Sequence, residues 1–121
     1  MPGKIAGPRC EASLKLVLDT GASLTLIVPR VAEVLGYSAR DADAVTNVYS
    51  PLGREQGYAL RVARFAALGF AMADFTVNVL DLSDGGSIDG LVGLNFLEHF
   101  NYQVRSAEGC ILLENLAPLA A

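Results

Sequence analysis

Tryptophan is absent from this chain of 121 residues, histidine occurs once and cysteine twice. Each shortage closes a route. With His99 as the sole imidazole, a Ser-His-Asp or Cys-His mechanism would rest on that residue alone, and no serine sits in a nucleophile elbow. Cys10 and Cys110 are too few for a disulfide framework, and their spacing fits no metal motif. Their expected place is the core, as two small apolar side chains, with a bridge between terminal strands as the alternative. Lysine- and arginine-rich runs are also missing, and the net charge is -4. That argues against nucleic acid, whose phosphates demand a basic face. No window reaches the roughly 18 continuous apolar residues of a membrane helix, so no membrane segment is expected in this chain. The N-terminal stretch MPGKIAGPRCEA lacks the apolar centre of a secretion signal.

What is present is apolar. Hydrophobic residues make up 52% and charged residues 18%, the balance of one well-filled globular domain spanning 1–121. Glu11 to Asp19 alternates, with Leu14, Leu16 and Leu18 on one face of a strand. Thr20-Gly21-Ala22 interrupts it, and Leu24 to Val28 is extended again. Pro29 opens a short helix that Gly36 stops, with Val31, Val34 and Leu35 as its buried face. Hairpin signals run from Ala44 to Asp81. Tyr58 to Leu68 is one long extended run and Gly69 a turn; Phe75, Val77 and Val79 face one way, Thr76 and Asn78 the other. Ile88 to Leu94 is apolar around two glycines, a helical turn presents Phe96, Leu97 and Phe100, and a hairpin pairs Tyr102 and Val104 with Leu113 and Ile111. The tail LAPLAA is expected to be loose.

A bare Asp-Thr-Gly is what an ordinary tight turn uses. Here it lies between two apolar strands, where a carboxyl must be paired, protonated or functional. A second block, Asp89-Gly90-Leu91-Val92-Gly93, follows about seventy residues later and runs into a short helix. Together the two blocks, LDTGAS from Leu18 to Ser23 and IDGLVGLNFL from Ile88 to Leu97, resemble the retropepsin-like aspartic proteases, their single-domain bacterial members more than the viral ones.

The resemblance spans about residues 13 to 113, the core of the domain, and implies a mostly all-β fold, a closed barrel or acid-protease half with one or two short helices. It implies peptide hydrolysis by two close carboxyl groups that share a proton, without metal or cofactor. One Asp-Thr-Gly supplies one carboxylate, so a homodimer with its site on the two-fold axis is implied, acting on polypeptide. Asp19 is then the catalytic carboxylate, supported by Thr20, Gly21 and Ala22, with Thr20 bonding across the axis. Gly21 and Ser23 would meet substrate, as would Leu52 and Gly53 near the tip of a flap running from Thr46 to Leu60. Leu91, Val92 and Gly93 would brace the aspartate loop, and Asp89 is expected to anchor a loop. Ser23 and Leu94 stand where viral members carry an acid and an arginine, so that ion pair is missing, whereas Asn95 matches. The N-terminal segment, poor in strand formers, is expected to shorten or rebuild the family's sheet of interleaved chain ends. Ala22 offers no hydroxyl to the carboxylate, which implies activity closer to neutral pH. A catalytically silent dimerisation or peptide-binding domain is the alternative reading.

Overall fold

The computed structural model describes residues 1–50, 53–82 and 87–115. The tail expected to be loose lies outside them.

Nine strands form in the described residues: β1 (Pro2–Ala6), β2 (Glu11–Leu18), β3 (Leu26–Ile27), β4 (Ala44–Ser50), β5 (Gly53–Ala67), β6 (Phe70–Val79), β7 (Gly90–Val92), β8 (Phe100–Arg105) and β9 (Cys110–Asn115). The helices α1 (Pro29–Leu35) and α2 (Leu94–Leu97) are short. Strands β1, β2, β7, β3, β6 and β5 are hydrogen-bonded in that order, and β5 returns to β1, which closes a barrel of six strands. The expected fold class, mostly β and closed with two short helices, is what forms. The contacts β2–β7 and β3–β6 are parallel. Strand β4 lies outside the barrel on β5, and β8 pairs with β9 in a separate two-stranded sheet.

The proline- and glycine-broken N-terminus corrects the expectation of a weak strand former. Residues 2–6 pair with β2 on one side and β5 on the other, so β1 is the stave that closes the barrel. Ile5, 1% exposed, is its contribution to the core. Backbone pairing on both edges overrides the segment's poor intrinsic preference, as tertiary context commonly does in sheets.

Alternation places Leu14 and Leu16 inside and leaves Val17 exposed. In β5 the inward set is Leu60 and Val62, then Phe65 and Ala67; the parity switches across Ala63 and Arg64, both exposed. The facing strand switches at the same level, where Asp74 has φ 50°. The hydroxyl of Tyr37 accepts the Ala63 N–H at this corner. All five phenylalanines meet in one cluster: Phe65, Phe75 and Phe100 surround Phe96 at centroid distances of 5.6, 5.8 and 5.3 Å, and Phe70 stacks on Phe100 at 4.7 Å.

Helix α1 starts at Pro29 and ends at Gly36, whose φ is 91°. Its buried face is Val31, Ala32 and Leu35; Val34, expected inside, is 52% exposed. A helix of two turns can bury only one narrow stripe, and Ala32 lets its backbone approach the core where Val34 was expected to fill it. Both cysteines are free and exposed, against the expectation of burial. Cys10 sits in the bend before β2, its thiol donating to the Val34 carbonyl at 3.3 Å, and Cys110 opens β9 outside the barrel.

Phe96 is fully buried at the centre of the ring cluster. Phe96→Ala is expected to lower unfolding free energy by about 3–5 kcal/mol, read by urea denaturation followed by circular dichroism.

Candidate active site

Strand β2 delivers Asp19 at its C-terminal end. The Asp19 N–H donates to the Val92 carbonyl at 2.9 Å, which carries the β2–β7 pairing one residue past the strand. The chain then turns sharply, with the Ala22 N–H donating to the Asp19 carbonyl at 3.2 Å. Inside this turn the Gly21 N–H donates to Asp19 Oδ1 at 3.0 Å. Oδ2 meets no donor among the described residues. Asp19 is half-buried, Ala22 likewise, and Thr20, Gly21 and Ser23 are exposed. The result is a carboxylate held by one oxygen and presented by the other.

The loop rests on the second apolar block. Leu94 N–H donates to the Ala22 carbonyl at 2.8 Å and Asn95 N–H to the Ser23 carbonyl at 3.1 Å. Gly93 is buried, and a Cβ there would overlap the Leu24 carbonyl oxygen, so glycine is required for this approach. Val92 is fully buried and Leu91 half-buried. Beneath them lies Thr25, with no exposed surface. Its Oγ1 accepts the Gly93 N–H at 3.2 Å and donates to Asn95 Oδ1 at 2.6 Å, while Asn95 Nδ2 donates to the Thr76 carbonyl at 3.1 Å. Every donor in this cluster has an acceptor, which is what burial of polar groups demands.

Asp89 is occupied differently. Its Oδ2 accepts the Lys15 N–H at 2.8 Å and its Oδ1 the Arg30 guanidinium at 3.1 Å. Its own N–H donates to the Lys15 carbonyl, and its carbonyl accepts from Val28. Asp89 therefore splices β2, β7 and the start of α1. Lys15 precedes Asp19 by four residues of strand, or roughly 13 Å at about 3.3 Å per residue. The two aspartates of one chain cannot form a dyad.

Two further polar residues went unmarked by motif reading. Thr25 has no motif, and Asn78, expected with Thr76 on the face opposite Phe75, Val77 and Val79, is only 3% exposed, its Oδ1 accepting from the Thr46 hydroxyl at 2.6 Å. The available signal was Thr25 as the one polar residue of the run LTLIV, and the amide of Asn78 in the alternating run FTVNVL. Leu52 lies outside the described residues, and Gly53 begins β5 at the far end of the β4–β5 arm, paired with Ser50. Near the root of that arm, burial pushes the Tyr58 phenol above its ordinary value, and the Glu33 and Asp41 carboxylates add to the effect. Among the described residues no group of three or more histidine, cysteine or acidic side chains could hold a metal ion, and no helix is long and apolar enough to cross a membrane.

A family model described as aspartyl protease matches residues 1–96. Among solved structures, the fold is similar to a retropepsin-like aspartic protease from Rickettsia conorii, 16% identical, with a TM-score of 0.65, covering 94% of this chain and 88% of that one. It is also similar to the retroviral protease-like domain of Ddi1 from Leishmania major, 19% identical, with a TM-score of 0.62, covering 95% and 86%. At these identities the likeness establishes the fold, which is retropepsin-like. No curated protein matches the chain significantly.

Asp89→Ala removes acceptors from Lys15 and Arg30, and is expected to cost about 1–3 kcal/mol of stability in urea titration. Asp89→Asn, which keeps an acceptor for the Lys15 N–H, should recover part of that loss.

Proposed function

Because the chain belongs to the aspartyl protease family, we propose that it is an aspartic endopeptidase whose site joins two Asp19 carboxyls, one from each protomer of a homodimer. The observation that carries this reading is the contrast between the two aspartates. Asp89 has both oxygens engaged in holding strands together, whereas Asp19 keeps Oδ2 without a donor among the described residues, at the end of a braced strand. A carboxylate so presented needs a partner for the paired acid-base chemistry of this reading, and Asp89 of the same chain lies out of reach at the other end of the β2–β7 ladder.

Two such carboxyls brought together cannot both ionise, so the pair holds one proton between them. The ionised member takes a proton from a water, whose oxygen attacks the peptide carbonyl carbon. The protonated member gives its proton to the carbonyl oxygen, which yields a tetrahedral diol. Collapse of the diol breaks the C–N bond as a proton passes to the leaving nitrogen. Gly21 and Ser23, exposed beside Asp19, would meet the peptide, and the β4–β5 arm would cover it.

The β8–β9 hairpin supports the dimer. It is paired with no other strand among the described residues and exposes Tyr102, Val104 and Leu112 by 41%, 50% and 45%. An isolated two-stranded ribbon is marginal in water, and its open edges invite a second chain. With β1 built into the barrel, the β8–β9 hairpin is the element among the described residues whose open edges would extend a sheet across the dimer.

Asp19→Asn should abolish cleavage of a peptide library while leaving the circular dichroism spectrum and sedimentation coefficient unchanged; a variant that still cuts would end this reading. A dimer that binds peptide and makes no cuts would instead favour the silent binding domain. Ala22 presents only its N–H to the Asp19 turn, with no hydroxyl to stabilise the ionised carboxylate. The rate maximum is therefore expected above about pH 4 in a pH–rate profile, and a maximum below it would count against this role for Ala22.

A further inference from the structure

Strand β5 changes partners along its length. From Tyr58 to Ala67 it pairs with β6; from Gly53 to Gly57 it pairs only with β4. The arm thus leaves the barrel at Gly57, where a Cβ would overlap the Val79 carbonyl oxygen. Opposite Gly57 stands Thr46, half-buried, whose hydroxyl donates to Asn78 Oδ1 at 2.6 Å. The Asn78 N–H donates to the Thr25 carbonyl at 2.9 Å, and the Thr25 hydroxyl is the one that joins the aspartate loop to Asn95. Hydrogen bonds therefore run without a gap from the root of the arm to the loop carrying Asp19.

An amide at position 78 is costly. It is buried in β6 between Val77 and Val79, where an apolar side chain would satisfy packing, and without a partner it would lose about 1–3 kcal/mol. Thr46 supplies that partner. The pairing also specifies register: a slip of the arm by one residue would bring Val45 or Asn47 to this place, and Val45 has nothing to donate.

We propose that the Thr46–Asn78 hydrogen bond is a positioning contact, fixing the root of the β4–β5 arm to the catalytic loop and so setting how the arm lies over bound peptide. Its bearing on substrate rests on the protease reading above; its bearing on the arm does not.

The test compares Thr46→Val, which removes the donor at nearly constant volume, with Thr46→Ser, which keeps it, and with Asn78→Leu as a second removal. Amide exchange by mass spectrometry would follow residues 44–50 and 56–60 against residues 11–18 in the barrel. Where peptide is cleaved, KM and kcat are measured alongside. Loss of one hydrogen bond should speed exchange at the arm root by up to about tenfold in Thr46→Val and Asn78→Leu, leaving residues 11–18 unchanged. KM should rise several-fold in both, with kcat within about twofold, and Thr46→Ser should behave as the parent. Parental exchange at the arm root in Thr46→Val, or equal acceleration in residues 11–18, would overturn the proposal. Failure of the parent protein to cut any peptide would count against the protease reading alone, since exchange still decides the contact.

Discussion

The loop that carries Asp19 is held from beneath by the hydroxyl of Thr25. That group accepts from Gly93, donates to Asn95, and has no access to water. Were it absent, the buried Gly93 N–H and the half-buried Asn95 amide oxygen would both lose their partner. Leu94 and Asn95 also donate their N–H groups to the Ala22 and Ser23 carbonyls, and Gly93 lies against the Leu24 carbonyl, so backbone bonds and the Thr25 hydroxyl together fix the spacing between the two apolar blocks. The same Thr25 receives Asn78 through its carbonyl, so the arm is referred to the same point. Thr25, Gly93, Asn95 and Asn78 form a paired polar cluster beneath the loop, and the pairing is what lets polar groups sit there.

Barrel closure decides which aspartate is free. Short parallel pairing of β2 with β7 places Asp89 beside Lys15 and Asp19 beside Val92, at opposite ends of the same ladder. At one end the carboxylate bridges a backbone N–H and Arg30 and adds to the fold. At the other it is presented toward solvent with only Gly21 to hold it. The same residue type thus serves structure or chemistry according to the neighbours the ladder provides, and a lone presented carboxylate makes association of two chains a chemical requirement of the proposed reaction.

Much of this was legible from pattern. Alternation in Glu11 to Leu18, the proline and glycine bounding α1, and the register of Tyr102 with Leu113 follow from local rules that the structure obeys. What escaped were features whose cause is remote. The β5 run reads as uninterrupted, yet its inward face switches at Ala63–Arg64, because Asp74 on the facing strand takes a positive φ and Tyr37 captures an amide at the corner. Residues 2–6 look unlike a strand and form one because two edges await them. Cys10 and Cys110 look like core side chains and are exposed because they fall at a bend and on the outer hairpin. Val34 fits helical spacing, but a short helix lying close to the core through Ala32 has no room to bury it.

The kind of molecule this is could be read from two short motifs. Asp-Thr-Gly between apolar strands, with Leu-Val-Gly about seventy residues on, carries the resemblance to the retropepsin-like aspartic proteases, and that resemblance implied the closed β barrel and made Asp19 the candidate carboxylate. The partners of the remaining polar residues emerge only once the barrel has closed, including those of Asp89, whose anchoring role was expected. Thr25, Asn78 and Asp89 bond to partners 70, 32 and 74 residues away along the chain. Hydrogen bonds of that reach leave no periodicity behind, because nothing in a local pattern records which distant atom will face a buried hydroxyl or amide once the barrel has closed.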